Sequence, residues 1–177
     1  MLGGMQLNQV GKFSKVSYNQ WSAAIKSQTD AIAEEAIIDL YNQIKLPQRA
    51  TSGSAGYDLY SPIWIELGPG EDAIFPLGIR CKIDDGWFLG IFPRSGLGFK
   101  YYLRLANLTG IIDADYVNSD NEGHIMMKVR NESNDKTVTI SRGDAIAQGI
   151  FLPFGITTDD NAIGTRNGGF GSTGGAQ

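Results

Sequence analysis

Beyond residue 60, apolar residues alternate with other types in short runs: Ile63/Ile65/Leu67, Ile79/Cys81/Ile83, Leu103/Leu105, Ile125/Met127/Val129 and Val138/Ile140. A period of two puts the apolar side chains on one face of an extended chain and leaves the other face to water. Turns rich in Gly, Pro, Asn and Asp separate the runs, with no helical stretch between them. Short connections join antiparallel neighbours, whereas parallel strands need long crossovers. The pattern predicts an all-β domain, an antiparallel barrel or jelly roll, rather than a parallel α/β sheet.

Composition changes near Pro47. Upstream, Tyr18, Trp21, Ile25, Ile32, Ile37, Leu40, Tyr41 and Ile44 fall largely at helical spacing, and Ser17-Tyr18-Asn19-Gln20 fits a capping box. One or two amphipathic helices are expected there. Downstream of Gly164, Thr165-Arg166-Asn167-Gly168-Gly169-Phe170-Gly171-Ser172-Thr173-Gly174-Gly175 carries too few apolar groups to hold itself folded, and reads as a flexible arm.

The chain of 177 residues suits one well-buried core. Its net charge of −4, with no Lys/Arg block, argues against a nucleic-acid polymer or an anionic membrane as partner. No apolar run approaches the roughly 18 to 20 residues of a membrane span, and Met1 to Gln9 lack the order of a signal peptide, so a cytoplasmic protein is expected. With one cysteine and one histidine, a zinc cluster cannot be assembled and any metal must sit on oxygen ligands. Cys81 reads as a half-buried small hydrophobe.

Four polar, Gly-containing clusters interrupt the strands at Ala55 to Ser61, Pro93 to Lys100, Gly110 to Tyr116 and Arg142 to Gln148, and the tail holds a fifth. Each alone reads as turn chemistry: Gly96 and Gly98 as turn glycines, Asp144 as a turn aspartate, Arg94 as a solvated charge. Together and in this order they resemble the five motifs of the trimeric dUTP diphosphatase family. Leu46-Pro47-Gln48-Arg49-Ala50-Thr51 is similar to its lead-in, Ala55-Gly56-Tyr57-Asp58-Leu59 to the first motif and Arg94-Ser95-Gly96 to the second. Gly110-Ile111-Ile112-Asp113-Ala114-Asp115-Tyr116 resembles the third, Gly143-Asp144 with Ala147-Gln148 the fourth, and Arg166 with Gly168 to Gly174 the fifth.

That resemblance divides the chain into a helical extension at 1–45, a β domain at 46–163 and an arm at 164–177. It implies a jelly-roll homotrimer whose active sites are each built from more than one subunit. The implied activity cuts dUTP to dUMP and pyrophosphate with Mg²⁺, which limits uracil incorporation into DNA and supplies dUMP. Hydrolysis at the α-phosphorus needs a water oriented and deprotonated by a carboxylate, and Asp113 takes that role. Asp115 receives none. By resemblance Asp58 and Gln148 hold metal-bound or phosphate-bound waters, while Arg94, Ser95 and Gly96 offer donors to the phosphates.

The segment Asn107 to Gly110 resembles the hairpin whose backbone pairs with uracil, and Tyr116 the aromatic beneath the deoxyribose that leaves no space for a 2′-hydroxyl. In the arm, Phe170 is expected to stack on uracil and Arg166 to reach the terminal phosphates. Gly168, Gly169 and Gly171 are expected to permit close backbone approach, with Gly171 and Ser172 among the substrate-binding residues, so the resemblance makes the arm a lid. A nucleophilic role for Ser95 lacks a partner at suitable spacing, since His124 lies in another segment.

The chain departs from the family pattern in three places. Val117 to Glu122 follow Tyr116 where the family has a single residue, adding about five residues beside the pocket. His124 replaces a common glutamate and reads as a surface residue at a strand start. Arg166 stands four residues before Phe170, one closer than usual. Two other functions compete. A dCTP deaminase shares the fold but needs a glutamate that Ile125-Met126-Met127-Lys128-Val129 does not supply. A jelly-roll binding protein would use the extension and the Asn118 to Gly123 insert as a partner surface.

Overall fold

The structure, a computed structural model, describes residues 7–29, 31–164 and 166. It opens with β1 (Gly11–Lys15), α1 (Tyr18–Lys26) and α2 (Glu34–Asn42). Strands follow: β2 (Gln48–Arg49), β3 (Tyr57–Tyr60), β4 (Ile65–Leu67), β5 (Asp72–Pro76), β6 (Ile79–Ile83) and β7 (Trp87–Pro93). A short α3 (Ser95–Tyr101) leads into β8 (Leu103–Leu105), β9 (Gly110–Ile112) and a 3-10 turn over Ala114–Asn118. The described chain closes with β10 (Met126–Asn131), β11 (Val138–Ile140) and β12 (Ala145–Pro153).

Every strand pair among the described residues is antiparallel, as the alternation predicted. The sheet that positions the site runs β2-β3-β12-β7-β9; smaller sheets run β5-β10-β8, β11-β4 and β1-β6. The inward residues are those the period of two selects: Leu59, Phe75, Leu89, Ile91, Ile125, Val138 and Ile140 are all buried. None of the helices among the described residues is long and apolar enough to cross a membrane.

The segment before Pro47 joins this same core. Trp21 and Ile37 are fully buried with Val16 and Ile25, and the Trp21 indole N–H donates to the Ile37 carbonyl at 3.3 Å, tying α1 to α2. Gly78 marks the seat. Its φ is +69°, and a Cβ there would meet Ile44 Cδ1 at 2.3 Å and Trp21 Cε3 at 3.0 Å, so only glycine admits the extension. Val16, Trp21, Ile25, Ile37 and Ile44 of the extension therefore share one core with the β domain.

The segment is also not purely helical. Strand β1 pairs with β6 from Gly11 opposite Ile83 to Lys15 opposite Ile79. Only Phe13 of β1 offers a large apolar group, so alternation could not reveal the strand. Its pairing places Phe13 opposite Cys81, and Cys81 is fully buried rather than half-buried. Burial pushes that thiol's pKa up to about 12, which leaves it unreactive.

Two further expectations are corrected. Gly96 and Gly98 lie in α3, a helix that buries none of its residues and therefore leaves no amphipathic stripe in the sequence. His124 is fully buried rather than on the surface. Its Nε2 accepts the Gly78 backbone N–H at 2.9 Å.

Candidate active site

Strand β12 lies between β3 and β7, and its register sets Gln148 opposite both Asp58 and Phe92. The Gln148 side-chain amide donates to the Pro93 carbonyl at 3.2 Å. Arg94 follows directly at the end of β7, with its guanidinium 3.3 Å from the Asp58 carboxylate and donating to the Ala145 carbonyl at 3.3 Å. Ser95 and Gly96 form the first turn of α3, where backbone N–H groups lack intrahelical partners. The sequence-predicted phosphate residues Asp58, Arg94, Ser95, Gly96 and Gln148 thus gather at one end of β7. Beside them a cavity of about 730 Å³ is lined by Arg94, Ser95, Gly96, Lys100 and Asp144 among others.

On its other edge β7 pairs with β9, with Ile91 opposite Gly110 and Leu89 opposite Ile112. Strands β8 and β9 pair with β10 and β7, not with each other. The connection through Asn107 is therefore a wide turn between two sheets rather than a closed hairpin. Leu108 adopts φ +64° there, and the Thr109 N–H donates to the Asn107 carbonyl at 2.7 Å. The opening between the sheets is a cleft of about 420 Å³ lined by Ile91, Asn107, Thr109, Gly110, Met126 and Lys128 among others. Its walls are largely apolar and its mouth offers backbone polar groups, which is what a planar heterocycle requires.

Asp113 follows β9 as the N-cap of the 3-10 turn. Its carboxylate stays half-exposed and accepts from Arg166 at 2.5 Å, while the same guanidinium lies 3.2 Å from Asp115 and 5.6 Å above the Tyr116 ring. Arg166 is thus on its own chain's carboxylates, away from Arg94, and Asp115, to which the sequence assigned nothing, is one of its partners. Phe170, Gly171 and Ser172 lie outside the described residues. Tyr116 is buried, its hydroxyl donating to the His124 carbonyl at 3.0 Å and accepting from Asn121 at 2.9 Å. Burial raises its pKa, against smaller opposing effects of the Asn121 hydrogen bond and the Arg166 charge.

The two clusters do not meet within one chain. Ile112 pairs with Leu89, five residues before Arg94, so at ~3.3 Å per residue the Asp113 turn and the Arg94 cluster are roughly 16 Å apart along β7. The residues whose roles sequence reasoning missed surround Tyr116: Ser17, Gln20, Asn121, Glu122 and His124. Their signals were the capping box for Ser17 and Gln20, and the departure from the family pattern after Tyr116 for the other three.

The fold and the site define an antiparallel β protein with polar clusters at both ends of one strand. Comparison with known proteins assigns its family. The family model for dUTPase matches residues 42–174. A deoxyuridine 5′-triphosphate nucleotidohydrolase of Lactococcus lactis subsp. lactis is 40% identical over 134 residues, which cover 74% of this chain and 89% of the relative. The crystal structure of dUTPase from Streptococcus mutans superposes with a TM-score of 0.60 at 32% identity, covering 82% of this chain and 97% of that one. A mutant dUTPase from phage phi11 of S. aureus, whose structure describes the coordination of a structural Mg(II) ion, shares the fold at a TM-score of 0.55 and 22% identity. It covers 68% of this chain and 90% of that one. The chain belongs to the dUTPase family.

Proposed function

We propose that the chain is a cytoplasmic dUTP diphosphatase, converting dUTP and water to dUMP and pyrophosphate in sites shared between copies of a homotrimer. In this reading residues 46–163 carry the pocket and 164–177 the arm. The observation that carries it is the apolar cleft at Asn107 and Gly110, lined along β9 to Ile112, which the half-exposed carboxylate of Asp113 and the buried ring of Tyr116 follow in the chain. A base in that cleft leaves the sugar at Tyr116 and the α-phosphate within reach of Asp113. The discrimination against cytosine rests on fixed backbone donors and acceptors, which leave buried groups unpaired against the wrong base edge.

Asp113 accepts a proton from the attacking water as its oxygen bonds to the α-phosphorus. The bond from that phosphorus to the bridging oxygen then breaks, and pyrophosphate leaves. Arg166 donates to Asp113 Oδ2, and the same carboxylate keeps acceptor capacity at Oδ1 for the attacking water. Arg94, Ser95 and Gly96 donate to the phosphates. Because they stand roughly 16 Å from the Asp113 turn along their own β7, the Arg94 cluster that serves one Asp113 comes from a neighbouring copy. Phe170 stacks on the base, with Gly171 and Ser172 closing over the substrate.

Among the described residues no three His, Cys, Asp or Glu side chains are grouped to hold a metal. Asp58 offers a single carboxylate, and Gln148 an amide, so these donors do not cage a cation. They fit Mg²⁺ that arrives on the triphosphate and keeps most of its waters. When bound, the ion neutralises phosphate charge and polarises the phosphoryl oxygens.

Two measurements test the reading. Pyrophosphate release is expected from dUTP and not from dCTP, dTTP or UTP; ammonia release from dCTP would replace the reading with a deaminase. Refolding Asp113→Asn chains that keep their arms with chains truncated before Thr165 is expected to restore roughly a quarter of the sites, since each working site draws its base and its arm from different parents. No recovery at any mixing ratio overturns the shared site.

A further inference from the structure

The extension and the insert, the two parts of the chain that the family pattern leaves over, bind each other. Ser17, the N-cap of α1, donates its backbone N–H and its hydroxyl to the Glu122 carboxylate at 2.8 and 2.5 Å. In a capping box that backbone N–H would bond the residue three positions on. Here Gln20 turns instead to His124 Nδ1 at 3.4 Å, and an insert residue 105 positions away completes the cap. With Nε2 accepting from Gly78, the neutral imidazole carries its proton on Nδ1, the ring atom that faces the Gln20 amide. The hydrogen bonds to Ser17 hold the Glu122 carboxyl pKa below its usual range.

The other side of the insert grips Tyr116. Asn121 donates to the Tyr116 hydroxyl at 2.9 Å while its own oxygen accepts from the Gly123 N–H at 3.1 Å. Glu122 and Gly123 stand at φ +60° and +70°, a turn that a β-carbon at 123 would drive into the Val117 Cα at 2.6 Å and the Tyr116 carbonyl at 2.8 Å. Arg80 closes the loop by donating to the Val117 carbonyl at 2.7 Å.

We infer that the extension and the insert form one clamp, Ser17–Glu122 and Asn121–Tyr116, that fixes the height of the Tyr116 ring and thereby sets how strictly a 2′-hydroxyl is refused. The inference rests on the proposed role of Tyr116 beneath the deoxyribose. Glu122 and Asn121 are positioning residues: they act through Tyr116 and touch no substrate. A hydroxyl-sized space is enough to admit a ribose, so a small displacement of the ring changes selectivity before it changes chemistry.

The test compares kcat/KM for dUTP and UTP, by pyrophosphate release, in full-length chains carrying Asn121→Ala, Glu122→Gln, Ser17→Ala or Tyr116→Ala. Asn121→Ala is expected to lower the preference for dUTP roughly tenfold, the size of a methylene-scale misfit. The loss should come through a lower KM for UTP, with kcat on dUTP near native. Glu122→Gln and Ser17→Ala are expected to move the ratio less and in the same direction. Their double variant should be no worse than the stronger single, because both act on one contact.

Glu122→Gln keeps the side chain's shape and decides the matter should Asn121→Ala fail to fold. An equal loss on both substrates, the mark of a merely structural role, overturns the clamp. A native ratio in Asn121→Ala and Glu122→Gln beside a relaxed ratio in Tyr116→Ala also overturns it and leaves the Tyr116 reading standing. A native ratio in Tyr116→Ala overturns both.

Discussion

The two ends of the β7 region are built on opposite principles. Around Asp113, the 3-10 turn is fastened to the core through Tyr116, and the neighbouring His124 is sealed beneath the extension. Around Arg94, a guanidinium and the Asp58 carboxylate meet near the surface, and the helix that follows only partly buries Leu97 and Tyr101. The first arrangement holds a ring in a fixed place, as refusal of one hydroxyl requires. The second leaves side chains free to rearrange around phosphates and a hydrated cation, where charge matters more than shape. Within the first region the same contrast recurs on a smaller scale, since Asp113 is half-exposed and Tyr116, three residues on, is buried.

The comparison can be broken by substitutions that should act on chemistry alone or on stability alone. Asp113→Asn is expected to lower kcat on dUTP by about 10³-fold, within the range of general-base removal. Binding of a non-hydrolysable dUTP analogue and the melting temperature should be nearly native. A loss of more than a few degrees in Tm would mean that the carboxylate holds the turn as well as the water.

Trp21→Ala attacks the fastened end from beneath. It empties a fully buried position against Gly78 and His124, and a destabilisation of 3 to 5 kcal/mol is expected in urea titrations. A cost below about 1 kcal/mol would make the extension a detachable module after all.

The buried histidine sharpens the same point through pH. Burial lowers the His124 pKa to about 4, from 6.5 for an exposed ring. The unfolded chain therefore binds the proton more readily than the native one. This contribution to stability is complete above pH 6.5, is lost as pH falls through that value toward 4, and is of order 3 kcal/mol. The difference between native and His124→Gln unfolding free energies should shrink over that window. A constant difference from pH 7 to 4 would place a charged or exposed imidazole in the native state.

The smallest effect is expected from Arg142→Ala. Its ion pair with Asp39 at 3.2 Å also joins extension to body, but both side chains are largely exposed, and a loss of at most about 0.5 kcal/mol is expected. A larger loss would shift the burden of docking from the apolar seat at Gly78 to surface charge.

The sequence by itself determined the antiparallel β class, because a strand with one wet face must alternate. Ile79, Cys81 and Ile83, or Met127 and Val129, face inward for no other reason. It indicated one or two helices in the extension, of which the structure has two, through their apolar spacing and the Ser17 cap, whose hydroxyl accepts the Gln20 N–H at 3.2 Å. It also named the polar residues that gather at the two ends of β7, since those were carried by ordered motifs. Alternation could not reveal β1, with a single large apolar residue, or α3, with none buried.

Only the tertiary structure decided that Glu122, rather than Gln20, meets the Ser17 backbone N–H, that His124 is buried, and that the extension belongs to the core. Those outcomes depend on contacts between residues about a hundred positions apart, such as Ser17 with Glu122 and Gln20 with His124. A local pattern records which groups a segment must hide or satisfy; which distant segment does so is settled only when the chain has closed.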